Sequence, residues 1–345
     1  MDNATALMPL VALNRELETR LRAAIDAKAK PLGSLGRIEA LALHIGLVTQ
    51  SLKPDLGRAA LVLFAGDHRI VAEGVTAYPS EVSALVAQMI LEGRAGANIA
   101  AQAAGADVFL IDAGLNTPLA PQAGFIDKRI RSGTRNFLLE PAMTEREFEQ
   151  AFEAGSSVAA DLKERGFGIL AFGEIGIGNS SAAAIVAHAV TGLPLEALVG
   201  NGAGVPPGGL DHKRDILARA HQRAPVRGGH DALREFGGFE AVMLAGAMLT
   251  AARLSQIAIV DGFIATAAAC AAVSMQPALR EYLLFGHLSP ESGHAAILEW
   301  LEAKPLLDLG MRLGEGTGAA LAIPLIRMAE GLLTSMADLP GAHPS

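Results

Sequence analysis

Five short apolar runs separated by longer Ala-rich stretches constrain this chain more than any other feature. They are Ala59–Ala65, Asp107–Ile111, Gly168–Phe172, Ile257–Val260 and Tyr282–Phe285, carrying β-branched, leucine and aromatic side chains. Runs this short suit strands, and helical stretches between them supply crossover connections, so the spacing predicts βαβ units and a mostly parallel sheet. Aromatics make up only 4% of the residues, and the abundant Ala and Gly suit close helix–sheet and helix–helix packing. Before the first run, Leu13–Lys28 has helical spacing; Pro31, Gly33 and Gly36 break it, and a second helix is expected over Ile38–Leu47.

The exits of these runs are more telling than their bodies. The first leads into Gly66-Asp67-His68, the second into Asp112-Ala113-Gly114, the third into Gly173-Glu174, the fourth into Asp261-Gly262 and the fifth into Gly286-His287-Leu288-Ser289. In open α/β sheets, ligands bind beyond the carboxyl ends of the strands. Glycines and polar residues gathered at that edge, with apolar strand bodies behind them, predict one cleft there.

Several classes of function fit poorly. Net charge is −8, from 28 Lys+Arg against 36 Asp+Glu, with no basic cluster and no aromatic stacking platform, which argues against a nucleic-acid partner. One cysteine, Cys270, lies in an Ala-rich run and reads as a small buried hydrophobe; it rules out a disulfide framework and a Cys-based zinc site. No apolar run of about 18 residues lacks a charged or polar interruption, and Met1-Asp2-Asn3-Ala4 does not open a signal peptide. The expectation is a soluble cytoplasmic protein with no membrane span.

Five stretches can carry chemistry. In Leu313-Gly314-Glu315-Gly316-Thr317-Gly318 one carboxylate sits among three glycines before an apolar helix. Glycine permits φ > 0 and close approach of a ligand, and the helix start favours an ionised glutamate. The stretch reads either as the seat of a base or as a helix-opening turn. Gly173-Glu174-Ile175-Gly176-Ile177-Gly178-Asn179-Ser180-Ser181 feeds a helix over Ala182–Val190, so its backbone N–H groups and serine hydroxyls can hold an anion. It is neither a Walker A loop nor a clean dinucleotide fingerprint, and an ordinary βα turn fits it too. Glu174 is a poor phosphate neighbour and should face another part of the ligand. The glycine-rich loop Gly200–Gly209 precedes a helix opened by Asp211-His212-Lys213, where Lys213 is either a phosphate contact or a solvated lysine. His287 and His294, seven apart across a Pro-Gly loop, lack a metal-ligand spacing. Asp67-His68 is either a catalytic pair or a hydrogen-bonded strand-end turn.

Taken in order, Lys30-Pro31-Leu32-Gly33-Ser34-Leu35-Gly36-Arg37, Ala65-Gly66-Asp67-His68, Ala77-Tyr78-Pro79, Glu140-Pro141-Ala142-Met143-Thr144, the Gly173–Asn179 stretch, Gly237-Gly238-Phe239-Glu240, Val260-Asp261-Gly262-Phe263-Ile264 and Gly314–Gly318 carry a resemblance. From about residue 30 to 330 the chain resembles the nicotinate-nucleotide–dimethylbenzimidazole phosphoribosyltransferase family. That resemblance implies a Rossmann-like, mostly parallel sheet flanked by helices (residues 59–320), a smaller helical domain from segments 1–58 and 321–345, and a homodimer. It implies transfer of phosphoribose from nicotinate mononucleotide to a benzimidazole-type base, with neither cofactor nor metal. By the family pattern Glu315, beside Gly314, is the catalytic base and Glu174 lies at the base-binding end, with Ser80 and Gln88 lining the same pocket. Gly176, Gly178, Asn179, Ser180, Gly202, Gly204, Lys213, Ser289, Ser292 and Gly293 hold the nucleotide. Two departures show: Arg69 follows His68 where the family usually has glycine, and Ser289-Pro290-Glu291-Ser292 replaces a Ser-Ala-Glu-Pro-like turn. Two other readings compete, an NAD-dependent oxidoreductase and a non-catalytic module that binds an azole base or nucleotide.

Overall fold

A computed structural model describes residues 9–202, 204, 205 and 208–339. Residues 1–8, Ala203, Pro206 and Pro207 of the glycine-rich loop, and the tail from 340 lie outside the described residues. Six strands form one sheet: β1 (Arg58–Gly66), β2 (Ala106–Gly114), β3 (Phe125–Asp127), β4 (Phe167–Ile175), β5 (Ile257–Val260) and β6 (Leu283–Phe285). Their order is β3-β2-β1-β4-β5-β6, and every neighbouring pair is parallel. Five of the six match the runs read from the sequence. β3 is an addition to them: it is three residues long and not fully buried, so it leaves no periodic apolar pattern.

Alternation along β1 shows why both sheet faces are covered. Ala60, Val62 and Phe64 enter one apolar core, while Ala59, Leu61, Leu63 and Ala65 enter the other. On the first face pack helices that include Glu145–Glu164, Asn179–Thr191, Phe239–Arg253 and Phe263–Met275. Small residues permit this: Gly155 lies against the Met243 backbone and Gly246 against the Phe152 carbonyl, where a Cβ would overlap main chain. Cys270 is buried in this layer, as a small hydrophobe should be.

On the second face lie Glu18–Asp26, Arg37–Thr49, Glu81–Leu91, Gly96–Ala104 and the long Thr317–Thr334 helix. The two ends of the chain meet there. Ala29 N–H donates to the Ala337 carbonyl at 2.8 Å, and Lys28 pairs with Asp338 at 2.9 Å. Among the described residues no helix is long and apolar enough to cross a membrane.

Candidate active site

β1 and β4 are neighbours in the sheet, yet the chain leaves β1 toward β2 and leaves β4 toward β5, on opposite sides. Such a reversal opens a crevice at the carboxyl ends of the strands. Here it holds a cavity of about 420 Å3, bounded by Glu174 from the end of β4, Asp261 beyond β5 and Glu315 ahead of the Thr317–Thr334 helix. Gly173 and Gly316 make the convergence possible. They meet backbone to backbone, where a side chain on either would collide, and so bring their neighbours Glu174 and Glu315 over one space.

Three successive residues adopt left-handed backbone there: Gly314 at φ 79°, Glu315 at φ 57° and Gly316 at φ 70°. Glycine tolerates this freely; glutamate does not, at a strain of order 1–2 kcal/mol. Glu315 is half-buried, and its Oε2 is buried with no hydrogen-bond partner. Burial raises its pKa, the charge of Asp261 raises it further, and the Ala97 N–H in the first turn of the Gly96–Ala104 helix pulls it partly back. Glu174 is more deeply buried. Its pKa stands well above the ordinary range, through burial first and then the charges of Asp261, Glu240 and Glu315. Asn179 donates from Nδ2 to Glu174 Oε2. Among the described residues no salt bridge reaches either glutamate.

Beside Glu174, part of the lining offers donors suited to an anion, although Glu291 lines the cavity as well. Gly176, Asn179, Ser180 and Gly202 form this part, at the start of the Asn179–Thr191 helix. Behind them Lys213 is buried rather than solvated. Its Nζ donates to Ser180 Oγ at 3.0 Å and to the Gly200 carbonyl at 3.1 Å. Two of its three protons are thus used, and burial lowers its pKa to about 8, against the raising effect of Glu291.

Of the residues expected at the site, Glu174, Gly176, Asn179, Ser180, Gly202, Ser289, Gly314 and Glu315 line the cavity. Gly178, at φ 96°, packs on Val71 and His68; Gly204 accepts the Ala77 N–H and touches Tyr78. Ser292 lies against Gly200, and Gly293 turns the chain beside Leu198. Neither Ser80 nor Gln88 lines the cavity. On the Glu81–Leu91 helix the stripe one turn apart, Val82 and Val86, faces it, with Tyr78 just ahead, while the Gln88 amide donates to Glu92 at 2.9 Å. Asp261 and His287, strand-exit residues that were expected at the cleft but given no role in it, line the cavity, as does Arg312, which nothing in the sequence singled out.

Asp67 and His68 form no catalytic pair, and they do not bond each other. His68 Nε2 lies 2.9 Å from Glu240 Oε1, both side chains fully buried. Asp67 accepts the Ser83 hydroxyl at 2.6 Å and the Asn116 N–H at 2.8 Å. Ser83 Oγ in turn accepts the Ile177 N–H at 2.9 Å, so this cluster braces the glycine-rich turn from beneath. Arg69 is exposed at the start of a short 3-10 turn. His294 is structural as well: its Nδ1 accepts the Ser289 N–H at 2.9 Å and its Nε2 faces the Thr266 hydroxyl at 3.1 Å.

Known proteins of similar sequence match this chain almost end to end. A family model described as a phosphoribosyltransferase matches residues 10–343. The nicotinate-nucleotide–dimethylbenzimidazole phosphoribosyltransferase of Cupriavidus taiwanensis is 45% identical over 331 residues, covering 96% of both chains. The enzyme of the same name from Dechloromonas aromatica is 42% identical, covering 94% of this chain and 95% of its own. The crystal structure of CobT from Thermus thermophilus superposes with a TM-score of 0.90 at 43% identity, over 95% of this chain and 98% of that one.

Proposed function

This chain belongs to the nicotinate-nucleotide–dimethylbenzimidazole phosphoribosyltransferase family, and from that membership we propose how it carries phosphoribose from nicotinate mononucleotide to 5,6-dimethylbenzimidazole or a related base. The products are nicotinate and α-ribazole 5′-phosphate, for assembly of the cobalamin nucleotide loop. The phosphate sits against the Gly176–Ser180 turn, with Lys213 behind it. The base lies between Glu315 and the apolar stripe of Val82 and Val86.

The leaving nicotinate departs from C1′ as a neutral pyridine nitrogen and needs no acid. The incoming benzimidazole attacks through one ring nitrogen while the other still bears a proton, so positive charge builds unless that proton leaves. Glu315 removes it. Its raised proton affinity suits the task, because a general base works best when its pKa approaches the working pH. Glu174, more deeply buried and more strongly shifted, holds its proton and donates a hydrogen bond. The environment thus gives two carboxylates different roles. Holding the two rings on opposite faces of C1′ supplies the remainder of the acceleration and dictates the α-anomer.

The observation that carries this reading is the shared cavity: Glu315, Glu174 and the glycine-rich turn line one space, with no salt bridge to either acid among the described residues. An oxidoreductase reading lacks that support, since the turn after β1 is Gly66-Asp67-His68 and the glycine-rich turn follows β4 instead. Incubation with nicotinate mononucleotide and 5,6-dimethylbenzimidazole should release nicotinate stoichiometrically with α-ribazole phosphate. Tight binding of both substrates without release would leave a non-catalytic binding module. The reading also takes the protein as a cytoplasmic homodimer, with segments 1–58 and 321–345 as one helical unit. Leu85 and Met89, exposed one turn apart on one helix, support an apolar contact with a second copy, which light scattering would measure.

A further inference from the structure

Asp261 lies just beyond β5, is only 1% exposed, and reaches across to the residues that follow Glu315. Its Oδ2 accepts the Gly316 N–H at 3.1 Å and its Oδ1 accepts the Ala319 N–H at 2.9 Å. These are donors from the opening turn of the Thr317–Thr334 helix, which has no cap of its own because Gly316 at its N-cap carries no side chain. The carboxylate therefore supplies from another strand what a local capping residue usually provides. It also fixes the residue immediately after Glu315 in its left-handed conformation. We propose that Asp261 is a positioning residue for the base: it clamps the Gly314–Gly316 turn by two hydrogen bonds and sets the electrostatic field in which Glu315 takes the proton. This rests on the assignment of Glu315 as base.

An amide cannot replace this carboxylate. Asparagine offers one oxygen, and its NH2 would face a backbone N–H, donor against donor. Among the described residues the groups that act on Glu315 are Asp261 from beyond β5, Glu174 from β4 and the N-terminus of the Gly96–Ala104 helix through Ala97; Arg312 also lines the cavity. Asp261 itself is faced by His287, whose Nε2 lies 3.6 Å from Oδ1. Among the described residues, Asp261 is the acid near Glu315 that also holds the turn mechanically.

The test compares wild type, Asp261→Asn, Glu315→Gln and the double variant, with Asp261→Ser as a second, smaller replacement should the amide fail to fold. For Asp261→Asn, kcat should drop by about 10- to 100-fold, the scale expected when a base is displaced by a fraction of an ångström to one ångström. The KM for nicotinate mononucleotide should stay within about twofold, because the phosphate end of the cavity is untouched. The acid limb of the kcat/KM profile should move to lower pH, since removing a neighbouring negative charge lowers the pH at which Glu315 ionises. In the Glu315→Gln background, adding Asp261→Asn should cost little more, because both act through one group. An unmoved acid limb with wild-type kcat in either folded Asp261 variant overturns the proposal, as does a loss that multiplies fully in the double variant. Wild-type turnover in Glu315→Gln alone would instead remove the base, and this clamp with it.

Discussion

Two groups of buried acids stand side by side at the carboxyl ends of neighbouring strands, and they are built on opposite principles. Beyond β1, Glu240 has His68 against it, while Asp67 is held by a hydroxyl and a backbone N–H. Around the cavity burial raises the proton affinity of Glu174, Asp261 and Glu315. The charges of Asp261 and Glu315 add to it at Glu174 and that of Asp261 adds to it at Glu315, while His287 pulls Asp261 partly back. Burying charge without a counter-charge is expensive, whereas pairing it offsets much of the penalty. The first group therefore reads as scaffold and the second as chemistry. Only the second opens onto the cavity.

The sharpest way to break that contrast is to neutralise one member of each group. Glu315→Gln should lower kcat by roughly 10²–10⁴-fold with binding of nicotinate mononucleotide retained; pre-steady-state release of nicotinate measures it, and wild-type turnover refutes the role. His68→Ala leaves Glu240 buried and unpaired, and should lower unfolding free energy by about 3–5 kcal/mol in urea titrations. The histidine's pH dependence comes from its environment. Burial alone would lower its pKa, but Glu240 and, to a smaller extent, Asp67 together outweigh burial and raise it. Its stabilising contribution is thus complete below the ordinary histidine range near about 6.5 and is lost as pH rises through the higher folded value. The margin of wild type over His68→Gln should therefore shrink with rising pH; a margin that widens would contradict the pairing.

Smaller effects belong to the phosphate end and to Glu174. Lys213→Ala should raise the KM for nicotinate mononucleotide about tenfold, the worth of one charge-assisted hydrogen bond, and leave the KM for the base unchanged. Since the lysine titrates at about 8, the wild-type nucleotide KM should itself climb above that pH. Glu174→Gln should raise the melting temperature by about 2–4 °C at neutral to alkaline pH, where the buried carboxyl must keep a proton that the unfolded chain releases. For a group whose folded pKa is raised, protonation favours the folded state, so that gain should fade toward acid pH. An equal gain at every pH would show that packing, not charge, was relieved.

How far the sequence revealed this depended on distance along the chain. Strand bodies and their polar exits were legible because a parallel sheet covered on both faces demands apolar runs ending in turn residues. The glutamate among glycines was legible for the same local reason. Asp261 was visible only as a strand-end residue, since its partners Gly316 and Ala319 lie more than fifty residues away. Ser80 and Gln88 were expected at the pocket by resemblance, but helix phase turns Val82 and Val86 inward instead. The burial of Lys213 was equally hidden: Ser180 and the Gly200 carbonyl, which make it tolerable, come from two other segments.

One consequence of the left-handed backbone at Glu315 concerns how such an enzyme can change over generations. Any side chain at that position works against the main chain, so Glu315→Gly would relax the turn by about 1 kcal/mol while removing the proton acceptor. Selection for heat tolerance and selection for turnover therefore pull this single codon in opposite directions. A lineage that no longer needed the reaction would be free to let the glutamate go and become sturdier for it.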